Sequence, residues 1–366
     1  MKIRRSGRLA VWLTGIALAA CAFAGEGSSG AQQATLDALS PLASSDELVT
    51  RLLSPVTQLR ISRYLDRDDA GLAPQSIRGG AETFDLFVPA MPGATGYGVM
   101  VFVWPGDEMS MPASWRRLFD ERHLIFIAAR RSGNDENVLD RRLPLALHAL
   151  GYAQRHYRID PERVYIGGFS GGSRVAQKVA LGYPDVFRAL LLAGGSDAIG
   201  TVGFVPPSRE RMRLFQRRTR VVFATGTQDL PNRTKDARTK KSFADFCLRG
   251  VQDISPPRSG HWVPEDRVMA RVLRAIEQPL ADQDGAFAAC DARLETDIHG
   301  RLEEVERLRT TGHDEAARNA LAAIDNLYGG LATPDSLRLA EALYPVLRPG
   351  VSGDAGAPLG NGAKSE

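Results

Sequence analysis

Histidine and cysteine are scarce in this chain, which has six histidines and three cysteines among 366 residues. The histidines are scattered without the short spacings that metal ligands adopt, so we expect no metal site. The pair Gly194-Gly195 follows a predicted strand, but the lysine of a phosphate-binding loop is missing after it. The sequence therefore predicts a protein that works without a metal ion or another cofactor.

An excess of charge of one sign is also missing. The 46 basic and 43 acidic residues give a formal net charge of +3. Four basic residues, Lys2, Arg4, Arg5 and Arg8, lie in the first eight positions, and losing them with a leader peptide would leave 42 basic against 43 acidic residues. A chain with that balance has no electrostatic reason to bind nucleic acid, so we expect no nucleic-acid partner.

The apolar run near the N-terminus is too short for a stable membrane anchor. It covers residues 9–20 and follows a basic start, which is the pattern of a secretory signal peptide. The run Leu18-Ala19-Ala20-Cys21 resembles a bacterial lipobox, in which the cysteine is lipidated after cleavage. We therefore expect residues 1–20 to be removed, and the protein to be exported to the bacterial periplasm or cell envelope with a lipid anchor on Cys21. Cleavage after Ala24 by an ordinary signal peptidase is the alternative, and would give a secreted protein.

Two cysteines remain if Cys21 carries lipid. Cys247 and Cys290 are then an even pair in an oxidising compartment, where disulfides form and persist. A disulfide between them and two buried free thiols are both compatible with the sequence.

The composition and periodicity of the chain change along its length. We predict a tether with helical and loop segments over residues 21–80, alternating strands and helices over 81–278, a helical extension over 279–347 and a disordered tail over 348–366. Six apolar or alternating runs in the second region predict strands, at residues 82–89, 97–104, 124–129, 164–169, 188–195 and 220–225. Buried strands that alternate with helices indicate an α/β fold whose mostly parallel sheet is covered on both faces. In such sheets a ligand binds at the carboxyl ends of the strands.

One of these strands runs directly into a serine-containing turn. The run Gly168-Phe169-Ser170-Gly171-Gly172 stands between the apolar strand and a predicted helix. A sharp strand-to-helix turn of this kind lifts the serine hydroxyl clear of the sheet, and its flanking glycines let the strand and helix approach each other. Ser170 is therefore the candidate nucleophile.

A serine nucleophile needs a base, and the base needs an acid to orient it. His261 lies in a loop beside Gly260, before the last helix of the sheet domain, whereas His299 and His313 fall in the helical extension. Asp229 follows the strand at residues 220–225, which is where the acid of such a site is expected. We therefore choose His261 as the base and Asp229 as the acid.

Three other aspartates follow the nucleophile at comparable positions, Asp236, Asp245 and Asp253. The first two fall in a predicted helix, where a solvated helix face is the simpler interpretation. We keep all three as alternatives to Asp229.

An acyl-transfer site also needs backbone donors for the oxyanion. The N–H of Gly171, directly after the nucleophile and at a helix N-terminus, is one candidate. The loop after the strand at 97–104 supplies the second, from the N–H of Gly106 or Asp107. Because carboxylates facing this site would repel the anion, we expect Asp107 and Glu108 to point outward. Trp104 and Trp262 could line the pocket or pack beneath it.

Residues 82–278 resemble an α/β-hydrolase, and within that superfamily they are similar to the secreted polyhydroxybutyrate depolymerases and feruloyl esterases. The resemblance lies in residues 84–89, Phe-Asp-Leu-Phe-Val-Pro, and in the run from Asp160 to Gly172 that contains the nucleophile turn. It implies a catalytic domain over residues 81–278 with Ser170, Asp229 and His261 as the catalytic triad. The chain departs from the family at residues 104–106, where Trp-Pro-Gly keeps the glycine of the usual His-Gly pair without its histidine.

Together these features predict an exported serine hydrolase that cleaves small or polymeric carboxylic esters through an acyl-enzyme. About 24 residues separate the strands at 188–195 and 220–225, where a lid would normally be inserted, so we expect an open site. A serine peptidase on the same fold is one alternative. A non-catalytic lipoprotein that binds a partner through the helical extension is the other. The sequence does not indicate an oligomeric state.

Overall fold

The computed structural model of the protein describes residues 30–64, 76–201, 203–280 and 284–344. The predicted signal peptide, the lipidation site at Cys21, the alternative cleavage after Ala24 and the tail at 348–366 lie outside these ranges. None of the described helices is both long enough and apolar enough to cross a membrane.

A single mixed sheet organises the described part of the chain. Its eight strands are β1 (Gly30–Thr35), β2 (Thr83–Val88), β3 (Tyr97–Val103), β4 (Leu124–Ala129), β5 (Ile159–Phe169), β6 (Ala189–Ala193), β7 (Arg220–Phe223) and β8 (Val251–Asp253). They lie in the order β1-β2-β4-β3-β5-β6-β7-β8. The pairs β1–β2 and β2–β4 are antiparallel, and all other pairs are parallel. This confirms the predicted α/β class with a mostly parallel sheet.

Helices cover both faces of the sheet. They are α1 (Ser45–Leu52), α2 (Pro55–Tyr64), α3 (Ala113–Asp120), α4 (Leu143–His156), α5 (Gly171–Gly182), α6 (Arg209–Arg218), α7 (Leu230–Asp245), α8 (Asp266–Glu277), α9 (Asp284–Thr310), α10 (Asp314–Tyr328) and α11 (Asp335–Leu343). Buried side chains of α4 and α5 join one apolar cluster, and those of α3 and α8 join another on the opposite face. The central strands β3 to β6 are therefore buried from both sides, which is why they read as nearly continuous apolar runs.

Two strands were not predicted from the sequence. Residues 30–33 belong to the predicted tether, but they form the first part of β1, which pairs with β2 from Gly30 opposite Val88 to Thr35 opposite Thr83. Only Ala34 of β1 is buried, because an edge strand with one neighbour covers little surface. Its small and polar residues therefore carry no apolar alternation. The other missed strand, β8, has only three residues, and none of them is buried.

The helical extension packs against the rest of the molecule. Buried residues of α9, α10 and α11 belong to the same apolar cluster as those of α4 and α5. The carboxylate of Asp325 in α10 accepts hydrogen bonds from the hydroxyls of Ser54 (2.7 Å) and Thr57 (3.0 Å). A disulfide joins Cys247, just after α7, to Cys290 in α9. The extension is thus attached by apolar packing, by polar contacts and by a covalent bond.

Reduction of this disulfide should lower the free energy of unfolding by about 2–4 kcal/mol, because it releases a constraint on the unfolded chain. The two cysteines are 43 residues apart. Urea denaturation with and without a thiol reductant measures the change. A Cys247→Ala/Cys290→Ala variant is the control, since its stability should be low and should not respond to the reductant. Wild type that keeps its full stability after both thiols titrate as free would contradict the expectation.

Candidate active site

The serine turn lies at the centre of the sheet, between β5 and α5. Ser170 has φ +54° and ψ −123°, a strained conformation for a residue that is not glycine. A Cβ atom at Gly168 would lie 2.5 Å from the carbonyl carbon of Gly172. A Cβ atom at Gly172 would overlap the carbonyl oxygen of Val103 and lie 2.6 Å from its carbonyl carbon. Both glycines are required because strand and helix backbones approach closely around the serine.

The structure brings Ser170, His261 and Asp229 into one hydrogen-bonded chain. The Nε2 atom of His261 lies 3.0 Å from Oγ of Ser170, and its Nδ1 atom lies 2.6 Å from Oδ2 of Asp229. The ionised carboxylate can only accept, so Nδ1 carries the hydrogen and Nε2 is left as the acceptor for the serine hydroxyl. Asp229 is buried, whereas 41% of the His261 side chain is exposed. This arrangement can remove a proton from Ser170 and pass it to a leaving group.

Three rings lie in series beside the predicted nucleophile and base. The Phe169 ring is 4.7 Å from the His261 ring and 5.4 Å from the ring of Trp104, on which it stacks. Trp104 therefore packs behind the base, while Trp262, the residue after His261, is 74% exposed.

The other candidate acids lie elsewhere. Asp245 pairs with Lys241, and Asp253 pairs with Lys240. The expectation that Asp236 lies on a solvated helix face is wrong, because it is only 2% exposed and accepts a hydrogen bond from Ser196. Burial raises the pKa of the Asp236 carboxyl above its ordinary value, and the hydrogen bonds from Ser196 and Thr225 oppose that rise.

The predicted oxyanion donors lie on two loops. Gly171 is the first residue of α5, where backbone N–H groups have no partner inside the helix. The second loop is held in place by Asn134, whose N–H donates to the carbonyl of Pro105 at 2.8 Å. Within the described part of the chain, the N–H groups of Gly106 and Asp107 donate to no other residue. The role of these N–H groups as oxyanion donors stays a prediction.

The two carboxylates of this second loop have partners of their own. Oδ1 of Asp107 accepts from the N–H of Gly133 at 3.2 Å, and the carboxylate of Glu108 pairs with Arg130 at 2.6 Å. Both side chains are bound to the neighbouring loop after β4.

Two asparagines at the site were missed in the sequence. The amide of Asn134 covers Gly171, where a Cβ atom would collide with its side-chain oxygen. The side-chain amide of Asn232 lies 3.0 Å from both carboxylate oxygens of Asp229. Asn232 stands three residues after the predicted acid at a helix start, and that spacing was a signal available in the sequence. Asn134 has no comparable signal, because only the contact between loops places it there.

No group of three or more histidine, cysteine, aspartate or glutamate side chains is arranged to hold a metal ion in the described residues.

The strand order, the strained serine between β5 and α5, and an acid and a base at the carboxyl ends of the strands are decisive for the fold. The protein has the α/β-hydrolase fold. No protein-family model and no curated protein sequence matches the chain.

Solved structures similar to the chain include the following three proteins. Est1E from Butyrivibrio proteoclasticus is 12% identical, with a TM-score of 0.39 over 54% of this chain and 95% of that one. The poly(3-hydroxybutyrate) depolymerase LpqC from Bordetella parapertussis is 17% identical, with a TM-score of 0.39 over 57% of this chain and 88% of that one. A puromycin-hydrolysing peptidase of Mycobacterium tuberculosis is 17% identical, with a TM-score of 0.41 over 55% of this chain. The match spans only 38% of that peptidase.

Proposed function

We propose that this protein is an exported serine hydrolase that cleaves carboxylic esters through an acyl-enzyme. The observation that carries the proposal is the hydrogen-bonded chain from Ser170 through His261 to Asp229. A strained serine, a base of fixed tautomer and a buried acid form the arrangement that activates a hydroxyl for attack on a carbonyl.

In the first half of the reaction, Oγ of Ser170 attacks the ester carbonyl while Nε2 of His261 takes its proton. The negative charge that develops on the carbonyl oxygen is stabilised by the N–H of Gly171 and by that of Gly106 or Asp107. Asp229 stabilises the imidazolium and remains ionised. His261 then gives the proton to the departing alkoxide, and the alcohol leaves the acyl-enzyme.

Water completes the reaction by the same route. His261 removes a proton from a water molecule, whose oxygen attacks the acyl carbon and breaks its bond to Ser170. The proton returns to the serine oxygen and the carboxylic acid is released. No other group has to enter the cycle, because acid, base and nucleophile are restored.

The exposure of the site favours bulky or polymeric esters. Trp262 is 74% exposed beside the base, and 41% of the His261 side chain is open to solvent. Between β6 and β7 the chain contains α6 and no larger lid among the described residues. The motif resemblance makes poly(3-hydroxybutyrate) and feruloyl esters the first substrates to test, and the disulfide is consistent with an exported protein.

Matched ester and amide substrates test the proposal. We expect short-chain p-nitrophenyl esters to be hydrolysed and aminoacyl p-nitroanilides to be left intact. A fluorophosphonate probe should add one adduct, which peptide mapping should locate on Ser170. Efficient cleavage of the anilides would indicate the peptidase alternative. Absence of both turnover and adduct would indicate the partner-binding alternative.

A further inference from the structure

Asn232 connects the acid of the triad to a cation on the nucleophile helix. Its amide nitrogen donates to Oδ1 and Oδ2 of Asp229, each at 3.0 Å. Its amide oxygen accepts a hydrogen bond from Arg174 at 3.2 Å. Arginine has only donors and an ionised carboxylate has only acceptors, so these two partners allow one orientation of the amide. The NH₂ group must face Asp229 and the oxygen must face Arg174.

The position of Asp229 in its helix explains why the acid needs this partner. Asp229 is the N-cap residue of α7, where an aspartate usually accepts a hydrogen bond from a backbone N–H of the first turn. Its carboxylate makes no such bond. Pro231 at the second helical position has no N–H to offer, and the side chain of Asn232 at the third position donates instead. The amide therefore holds the carboxylate toward the imidazole and away from the helix N-terminus.

Arg174 anchors the other end of this contact. It lies in α5, four residues after Ser170, and its Nε atom is 3.3 Å from Oδ2 of Asp197. The residues thus form a closed ring of contacts that runs from Ser170 along α5 to Arg174, through Asn232 to Asp229, and back through His261. Asn232 lies between the positive charge of Arg174 and the negative charge of Asp229.

We propose that Asn232 is a positioning residue of the triad, which fixes the rotamer of Asp229 and keeps Arg174 from pairing with it directly. This inference rests on the proposed hydrolase function. A direct ion pair would draw Asp229 away from Nδ1 of His261, and the base would lose its orientation and its counter-charge. The neutral amide of Asn232 donates hydrogen bonds to Asp229 without placing a full positive charge beside its carboxylate.

Three variants test this role. Asn232→Ala should lower kcat for ester hydrolysis by about 10- to 100-fold with KM within about twofold, because misalignment by roughly 1 Å costs that much. Asn232→Asp places a second carboxylate beside Asp229 and His261, and should move the acidic limb of the kcat/KM profile up by about one pH unit. Arg174→Lys keeps a positive charge at this position, so it should retain more activity than Arg174→Ala.

The charged groups around Asn232 come from four elements. They are Asp229 at the start of α7, His261 in the loop before α8, Arg174 in α5 and Asp197 in the loop after β6. The pH profile of kcat/KM for Asn232→Asp is therefore compared with that for Arg174→Ala, a substitution that removes the cation from the same ring of contacts.

A second readout does not depend on turnover. The hydrogen between Nδ1 of His261 and Asp229 should give a low-field proton resonance in wild type, and Asn232→Ala should shift or lose it. Asn319→Ala, at an exposed position of α10, is the matched control and should change neither rate nor resonance.

The outcomes separate the two proposals. Wild type that hydrolyses no ester would refute the proposed function, while the resonance would still test the role of Asn232. An Asn232→Ala variant with unchanged rate and resonance would overturn the positioning role. A second result would also overturn it: Asn232→Ala is slower but keeps the wild-type resonance, and Asn232→Asp keeps the wild-type pH profile of kcat/KM. Thermal denaturation of each variant excludes loss of folded protein as the cause.

Discussion

Replacing Ser170 with alanine should lower kcat for ester hydrolysis by about 10⁴- to 10⁶-fold, the loss expected when a triad acts as a unit. Without Oγ no acyl-enzyme can form, and His261 has no hydroxyl to deprotonate 3.0 Å from Nε2. The residual rate would come from the oxyanion donors and from substrate binding. Burst kinetics with a p-nitrophenyl ester, together with intact mass after fluorophosphonate treatment, measure both turnover and acylation.

The control for Ser170→Ala is Ser259→Ala, two residues before the base. Its hydroxyl makes no hydrogen bond within the described part of the chain, and the variant should keep wild-type activity. Both variants should unfold at temperatures close to that of wild type, since neither change removes a packed side chain. Hydrolysis by Ser170→Ala at a rate near that of wild type would show that the reaction uses another nucleophile.

Replacing Gly172 with alanine should destabilise the protein by about 3 kcal/mol or more, at the upper end of what overpacking costs. The new methyl group would overlap the carbonyl oxygen of Val103, at the end of β3. That backbone cannot retreat without disturbing its parallel pairing with β5, where Val103 lies opposite Gly168. Urea denaturation gives the free energy of unfolding, and we expect much of the variant to be insoluble.

Gly300→Ala is the matched control for that substitution. Gly300 lies within α9, and a Cβ atom there would have no neighbour within 4 Å. Alanine is the better helix former, so this variant should be more stable than wild type by about 0.5–1 kcal/mol. The same substitution, glycine to alanine, is thus expected to lower the free energy of unfolding at position 172 and to raise it at position 300. Equal stabilities of the two variants would contradict the close approach of α5 to β3.

The six predicted strands could be recognised in the sequence because most of their residues are buried and therefore apolar. Residues 97–104 and 124–129 are apolar almost throughout because β3 and β4 are covered on both faces. Edge strands leave no such pattern, and β1 escaped detection because its residues pair through the backbone and bury little. The burial of Asp236 was also not predictable, because it depends on contact with Ser196, 40 residues earlier in the chain.

The residues of the candidate site also fall into those that the sequence predicts and those that it does not. Ser170, Asp229 and His261 could be chosen because each stands where a strand ends or just before a core helix, and their order along the chain follows that of the fold. Among their partners, Asn232 had a local signal in its spacing from Asp229, but the other contacts could not be predicted. The link from Arg174 to Asn232 joins two helices 58 residues apart, and Asn134 reaches Gly171 from a different loop. Such contacts depend on how loops and helices lie after folding, which local patterns do not encode.

The disulfide between Cys247 and Cys290 encloses one residue of the proposed triad. His261 lies inside the covalent ring, while Ser170 and Asp229 lie outside it. A protease that cuts once between residues 247 and 261 would leave two fragments that remain linked through sulfur. The same cut after reduction would leave the base on a fragment with no covalent bond to the nucleophile and acid. Redox conditions therefore decide whether a nicked molecule remains one covalent unit.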